Sequence, residues 1–138
     1  MPVEVHLVTP EHEVWSGSAE MVIARGVEGE VGILAGHAPL LIQLRIAPFR
    51  IQEEDGDWIK AVVDGGFLHV TSEGGETRVD VLATGAELAD AVDLDAARAR
   101  KERAEQFLTG RASEPEDAEA DAARTELLKA EARLSLAD

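Results

Sequence analysis

The sequence predicts a mainly β amino-terminal domain, an antiparallel sandwich or barrel, followed by a carboxy-terminal α-helical hairpin. Short apolar runs divided by Gly and Pro recur as far as residue 85, and no long helical period occurs there, which excludes alternating β and α units. Beyond residue 85 the composition changes to Ala, Glu, Asp, Arg and Leu, with no Ile or Trp. We therefore predict a β-sandwich domain at 1–86 and a two-helix antiparallel hairpin at 87–138.

The predicted strands either alternate apolar and polar residues or form short apolar runs. At the start of the chain, Val3, Val5 and Leu7 alternate with Glu4 and His6, which is the period of a half-buried strand. Further strands are predicted at 13–15, 21–24, 41–51, 58–63, 67–70 and 79–83. Turns are predicted at 9–12, 26–29, 54–57, 64–66 and 73–76, where Gly, Pro, Asp and Glu collect.

The run 29–41, GEVGILAGHAPLL, combines three glycines, a proline and a histidine with apolar residues. Its glycines can take a positive φ or let another backbone pass close, and Pro39 removes a backbone donor. This mixture suits neither a helix interior nor a plain strand. We expect two short strands that turn sharply at 35–37.

Small and apolar residues recur at steps of three and four in the second part of the chain, as on one face of a helix. They predict helices at about 93–108 and 118–136, with Asp93 or Asp95 capping the start of the first. The polar run 111–117, RASEPED, is predicted to be a loop. Because the seam between the helices is rich in alanine, which buries little area, we expect the hairpin to be weakly held and able to detach.

The composition limits the kinds of function. A formal net charge of −15 opposes binding to nucleic acid or to an anionic lipid surface, so we predict no nucleic-acid partner and only an indirect link to a membrane. The chain has no cysteine, and no signal peptide or long apolar span appears, which predicts a soluble protein. No nucleophile motif, phosphate-binding loop or metal-binding histidine spacing occurs, so we predict no catalytic residue, no metal site and no required cofactor.

Two features of the glycine-rich region are candidates for contact with a partner. Glu28 and Glu30 lie in a predicted exposed loop, where they either pair with basic groups on another protein or simply keep a turn soluble. His37 lies in the predicted corner, where its ring either hydrogen-bonds a neighbouring backbone group or faces a partner. The residues alone leave both pairs of alternatives open.

The run 29–41 also resembles a known family. It is similar to the GExGILPGHAPLL run of the epsilon subunit of bacterial F-type ATP synthases, with Ala35 where that family usually has proline. The resemblance continues through Gly65-Gly66-Phe67-Leu68 and into the charged tail, so it covers essentially the whole chain. It implies a non-catalytic subunit of the central stalk, peripheral to the cytoplasmic face of the cell membrane, which couples proton flow to ATP synthesis.

The resemblance further implies which surfaces meet partners. The sandwich would pack on the gamma subunit and the c-ring, and the loop at the position of Glu30 would meet the polar loops of that ring. On this basis the partner-binding residues are predicted to be Glu28, Glu30, Gly32 and His37. A hairpin folded on the sandwich would permit ATP hydrolysis, whereas an extended one would contact the alpha and beta subunits transiently and block it. The acidic stretch 110–122 opposes that contact, which predicts weak inhibition.

Some bacterial epsilon subunits bind ATP through an (I/L)DxxRA pattern in the first helix and basic residues on the second. The candidate residues for such a regulatory site are Leu94, Asp95, Arg98, Ala99, Lys129 and Arg133. A second register, aligned on 102–105, places Val92 and Asp93 on the motif and Ala96 where the arginine belongs. In that register the arginine is missing, and the charges of the helices would only support the helices themselves.

Two other classes of function are alternatives to a stalk subunit. A small-molecule-binding β-sandwich carrier would hold its ligand between the sandwich and the hairpin, and it predicts a tight apolar pocket there. A hydrolase using paired carboxylates predicts activity on ester or glycoside substrates.

Overall fold

The computed structural model describes residues 2–110 and 118–137, and it contains one eight-stranded sheet followed by two helices. The strands are β1 Val3–Val8, β2 Glu13–Ala19, β3 Met21–Gly26, β4 Gly29–Leu34, β5 Leu40–Gln52, β6 Trp58–Glu73, β7 Glu76–Ala83 and β8 Ala86–Leu88. A 3-10 turn, Ala89–Ala91, leads to α1 Leu94–Gly110 and α2 Ala118–Ser135. The predicted fold class is confirmed. The predicted loop 111–117 lies outside the described residues.

The strands are hydrogen-bonded in the order β2-β1-β7-β6-β5-β3-β4, and β8 pairs with β6. Neighbours run antiparallel except β1 and β7, which are parallel. This pair differs from the antiparallel expectation because its strands lie at opposite ends of the β domain. No turn joins them, so no local signal sets their relative direction.

The turn predicted at 64–66 is wrong, because the chain continues there as one strand. Gly65 and Gly66 have φ values of 87° and 131°, yet they lie inside β6, whose pairing with β5 keeps the same register on both sides. The core residues on the two sides of these glycines, Val63 and Leu68, are an odd number of residues apart, whereas residues on one face of a regular strand are an even number apart. The face of β6 that points to the core therefore changes at the glycines. One half of β6 pairs with β8 and the other with β7. The long strand therefore bends and joins the two layers of the sandwich.

The layers enclose a mainly aliphatic core. Its largest fully buried side chains include Phe49, Leu7, Ile33, Ile51 and Leu68. Among the described residues, the core cluster contains none from the two helices. The β domain therefore has a core of its own, to which the hairpin is added from outside.

The hairpin lies against the outer side of β5 and β6 through α2, and α1 packs mainly on α2. α1 begins after Asp93, whose Oδ1 accepts a hydrogen bond from the backbone N–H of Ala96 at 3.0 Å, a side-chain cap. The buried residues of the helices are Ala97, Ala104, Ala120, Ala130, Ala132 and Arg133. The division at 86/87 stays a prediction, and β8 spans that position.

Candidate functional site

An exposed apolar face lies on the outer side of β6 and β7. Phe67 and Leu82 are opposite each other in these strands and are 50% and 60% exposed. Val8 follows on β1, opposite Leu82. Leu41, on β5 and 65% exposed, lies opposite His69 on the same face. Large apolar side chains grouped in this way are typical of a surface that binds another protein.

The sequence alone does not predict this apolar face. The alternation of residues along a strand shows which of them lie on the same face of the sheet, but it does not show whether that face is covered by a second layer or exposed to solvent. Only the bend of β6 decides that Phe67 points outward.

The tip of the β3–β4 hairpin borders a groove of about 300 Å³ beside the apolar face. Val27, Leu41 and Ile42 contribute apolar lining, and Glu28 and Glu30 contribute acidic groups. Gln43 also lines the groove and lies opposite Phe67 in β6. The groove and the apolar face are therefore neighbouring parts of one surface.

The two acidic residues predicted to bind a partner have different surroundings. An oxygen of Glu30 lies 3.9 Å from a guanidinium nitrogen of Arg25 and 3.9 Å from one of Arg50. Within the described part of the chain, Glu28 has no ion pair. Gly32, in β4, has open space where a side chain would begin. Glu28 thus keeps its charge available, whereas that of Glu30 is partly balanced within the chain.

His37 lies in the corner between β4 and β5, and hydrogen bonds fix that corner. Its ring Nδ1 donates to the carbonyl oxygen of Ala38 at 2.7 Å, so its ring holds a neighbouring backbone group. The Oγ of Ser72 donates to the carbonyl oxygen of His37 at 3.0 Å. The backbone N–H of Gly36 donates to the Oγ1 of Thr77 at 2.7 Å. The corner is therefore tied to β6 and β7, and contact of His37 with a partner stays a prediction.

The candidate nucleotide residues fall into two different environments. Leu94, Asp95, Arg98 and Ala99 form the first turns of α1, where the guanidinium of Arg98 lies 2.7 Å from Asp95 Oδ1 in an exposed pair. On α2, Lys129 lies 3.9 Å from Glu126. Arg133 is instead buried against the sheet. The structure therefore does not place Arg98 and Arg133 in one common pocket.

Arg133 makes an ion pair between α2 and the sheet. Its two terminal nitrogens donate to the two carboxylate oxygens of Asp64 at 2.9 and 2.8 Å, and its Nε donates to Glu87 at 3.2 Å. The side chains of Arg133 and Asp64 are only 8% and 10% exposed. Hydrogen bonding to Asp64 raises the pKa of Arg133, against the lowering effect of burial. The sequence predicts for Arg133 only a basic pair with Lys129.

Within residues 2–110 and 118–137, no group of three or more His, Cys, Asp or Glu side chains is placed to hold a metal ion. Neither described helix has the length and apolar character needed to cross a membrane.

Known proteins share the sequence and the fold of this chain. The family described as "ATP synthase, Delta/Epsilon chain, beta-sandwich domain" matches residues 2–89. The ATP synthase epsilon chain of Brevibacillus brevis is 46% identical over 110 residues, which are 80% of each chain. That of Bacillus pumilus is 38% identical over 135 residues, which are 98% of this chain and 96% of the relative.

Two solved structures have the same fold. A chain of the Euglena gracilis mitochondrial ATP synthase, determined by cryo-EM as OSCP/F1/c-ring in rotational state 1, aligns with a TM-score of 0.80 at 24% identity and covers 99% of this chain and 81% of its own. A chain of the Tetrahymena thermophila mitochondrial ATP synthase, from its central stalk and c-ring, aligns with a TM-score of 0.59 at 18% identity and covers 100% and 98%.

Proposed function

The chain belongs to the ATP synthase epsilon-chain family, and we propose that it couples proton flow to ATP synthesis as part of the rotor, at the cytoplasmic face of the cell membrane. As a member of that family it is a non-catalytic subunit of the central stalk. The family assignment favours this role over a small-molecule carrier or a carboxylate hydrolase.

The observation that carries the proposal is the exposed apolar face of Phe67, Leu82 and Leu41. On a chain of net charge −15, apolar side chains that are half exposed or more are best explained by a partner that covers them. We assign this face to the gamma subunit, because a stalk subunit must be held firmly enough by its neighbour to turn with it.

The test is co-purification of gamma and the c-ring with a tagged chain from membranes. Leu82→Gln is expected to reduce the recovered gamma by at least about tenfold, because it places an unpaired amide in a buried contact. The matched control is Leu128→Gln, since Leu128 is also more than half exposed but lies on α2. Equal recovery of gamma with the two variants would contradict the assignment.

The tip of the β3–β4 hairpin is proposed to meet the c-ring. Glu28 is the better residue to test, because it lacks an ion pair with any described residue, whereas reversing the charge of Glu30 would also disturb Arg25 and Arg50. Glu28→Lys is expected to lower recovery of the ring and leave recovery of gamma unchanged. Glu54→Lys, the same change in the β5–β6 turn, is the control. A ring that co-purifies equally with both variants would exclude the contact.

The hairpin is proposed to be the regulatory part, with ATP as a ligand of its first helix. Arg98 lies near the start of α1 and its ion pair with Asp95 is exposed, so its guanidinium is accessible to a phosphate group, whereas Arg133 is held in a nearly buried pair with Asp64. Calorimetry with millimolar Mg-ATP should show binding that Arg98→Ala weakens. The absence of heat with the unchanged chain would remove ATP from the proposal and leave the stalk role intact.

A further inference from the structure

We propose that Arg133, Asp64 and Glu87 form a latch whose opening releases α1 and α2 together, as an intact hairpin, from a β domain that stays folded. The inference deepens the proposed regulatory role of the hairpin and rests on it for its biological meaning. The release itself is a property of the chain without its partners.

Apart from Arg133, the buried side chains of the hairpin are small. The buried residues of the described helices are alanines, apart from Arg133. An alanine side chain removes little apolar area from water, at roughly 25 cal/mol per Å², so each such contact is weak. Arg133 brings a long side chain and several charge-assisted hydrogen bonds to the same interface. The latch therefore contributes more to the attachment of the hairpin than any single alanine contact does.

Hydrogen bonds and close packing hold each half of the latch in position. On the helix side, one terminal nitrogen of Arg133 also donates to the carbonyl oxygen of Lys129 at 3.0 Å, which orients the guanidinium. On the sheet side, the backbone N–H of Asp64 donates to the carbonyl oxygen of Gly85 at 2.8 Å. Any side chain at Gly85 would begin 2.8 Å from Asp64 Oδ2, so the carboxylate fits closely over that glycine. Two prepositioned groups favour a docked state with one geometry.

Breaking the latch changes the surroundings of Asp64. With α2 docked, Asp64 has little contact with water, so removing the guanidinium leaves a nearly buried carboxylate without a cation. Lifting α2 away lets water reach that carboxylate. Loss of Arg133 therefore removes an attraction and also penalises the docked state.

The two helices should stay together when they leave. Arg100 of α1 lies 2.9 Å from Glu126 of α2, and this pair does not involve the sheet. The β domain should remain folded, since its core cluster includes no residue of the described helices. The boundary between moving and fixed parts thus runs through the latch.

The test compares Arg133→Met with Arg98→Met in the full chain by hydrogen exchange. Arg98 is a matched control, because its ion pair with Asp95 lies within α1. In Arg133→Met, amides in α1 and α2 are expected to exchange about 100-fold faster, with the core strands unchanged, because helices that have left the sheet stay paired with each other but open locally more often than docked helices do. Adding Asp64→Asn should restore part of the protection, because it removes the unpaired carboxylate. Helix exchange no faster than in Arg98→Met, or equal acceleration in the core strands, would overturn the latch.

Spin-label distances test whether the hairpin leaves intact, and the absence of cysteine allows labels at chosen sites. In Arg133→Met, the distance between labels at Glu73 in β6 and Glu131 in α2 should lengthen. The distance between Glu102 in α1 and Glu131 should not change, and its loss would show unfolding rather than release. If release is seen but the assembled ATP synthase hydrolyses ATP at the unchanged rate, the regulatory function fails and the latch stands.

Discussion

At the scale of single residues, Gly66 is the position on which the bend of β6 depends. Its φ is 131°, and a Cβ there would lie 2.2 Å from the carbonyl oxygen of Leu82 and 2.8 Å from the Cα of Ala83. Both obstacles are backbone atoms of the neighbouring strand β7, which cannot rotate away. The residue must therefore be glycine for two independent reasons, its conformation and the close approach of β7.

We expect Gly66→Ala to lower the free energy of unfolding by about 3 kcal/mol or more, because strain and overlap with backbone add. Gly32→Ala is the control, since Gly32 also lies in a strand but has open space at the Cβ position and no positive φ. Urea denaturation followed by circular dichroism measures both variants. Similar midpoints for the two would show that β7 can move away from β6.

The same glycine shows the limit of the sequence analysis. The pair Gly65–Gly66 predicts a turn, because positive φ is common to turns and to bent strands. What distinguishes the two is the neighbouring strand that pairs on both sides of the glycines, and this contact is not local in sequence. Likewise, the sequence around Arg133 does not predict its ion pair, because the acidic partner Asp64 is 69 residues away.

At the scale of elements, most strands and both helices could be predicted, because each is encoded by its own period of apolar residues. Asp93 as the cap of α1 was also within reach, since capping is a local interaction. The parallel pairing of β1 with β7 and the short strand β8 could not be predicted. Each pairing depends on a strand that is distant in sequence and has backbone groups left unpaired. β8 pairs with the half of β6 that β7 does not reach.

The attachment of the edge strand β2 to β1 should depend on pH through His6. Its Nε2 lies 3.0 Å from Glu4 and its Nδ1 lies 3.3 Å from Glu13, on β2. The pKa of His6 is raised above 6.5, and the largest cause is the hydrogen bond to Glu4. Burial is the next largest effect and lowers the pKa, the hydrogen bond to Glu13 raises it, and the charge of Arg78 lowers it. Both ring nitrogens donate only when the imidazole is protonated.

Because the folded state binds this proton more tightly, the stabilisation is fully present below the unfolded pKa and is lost as pH rises through the higher folded pKa. His6→Gln should therefore destabilise the chain by up to about 1 kcal/mol near pH 5.5 and by less near pH 8.5. Thermal unfolding of both proteins across this range gives the difference. A difference that grows with pH would contradict the assignment, and His12→Gln, a change at an exposed histidine outside this ion pair, serves as the control.

At the scale of the whole molecule, the chain combines a self-sufficient β domain with a hairpin attached mainly through α2. The two parts also share an acidic excess, net −9 in residues 1–85 and net −6 in residues 86–138. Like charges on both parts oppose close packing wherever they are not paired. The latch reduces this repulsion at the interface, because it places one buried cation, Arg133, between two carboxylates of the sheet.

Removal of residues 93–138 should accordingly leave a folded β domain. Keeping residues 1–92 retains β8 and the 3-10 turn. The removal exposes Val62, which is fully buried yet lies outside the core cluster. Because that side chain then meets water, the free energy of unfolding should fall by about 2 kcal/mol. The shortened chain should unfold in one cooperative transition and still co-purify with gamma, because the apolar face of Phe67 and Leu82 is intact. In the assembled enzyme, ATP hydrolysis should rise only slightly, since the net charge of −6 in residues 86–138 weakens contact of the hairpin with any partner surface that is not basic. A non-cooperative transition would show that the hairpin completes the fold, and a large rise in hydrolysis would show that it inhibits strongly despite its charge.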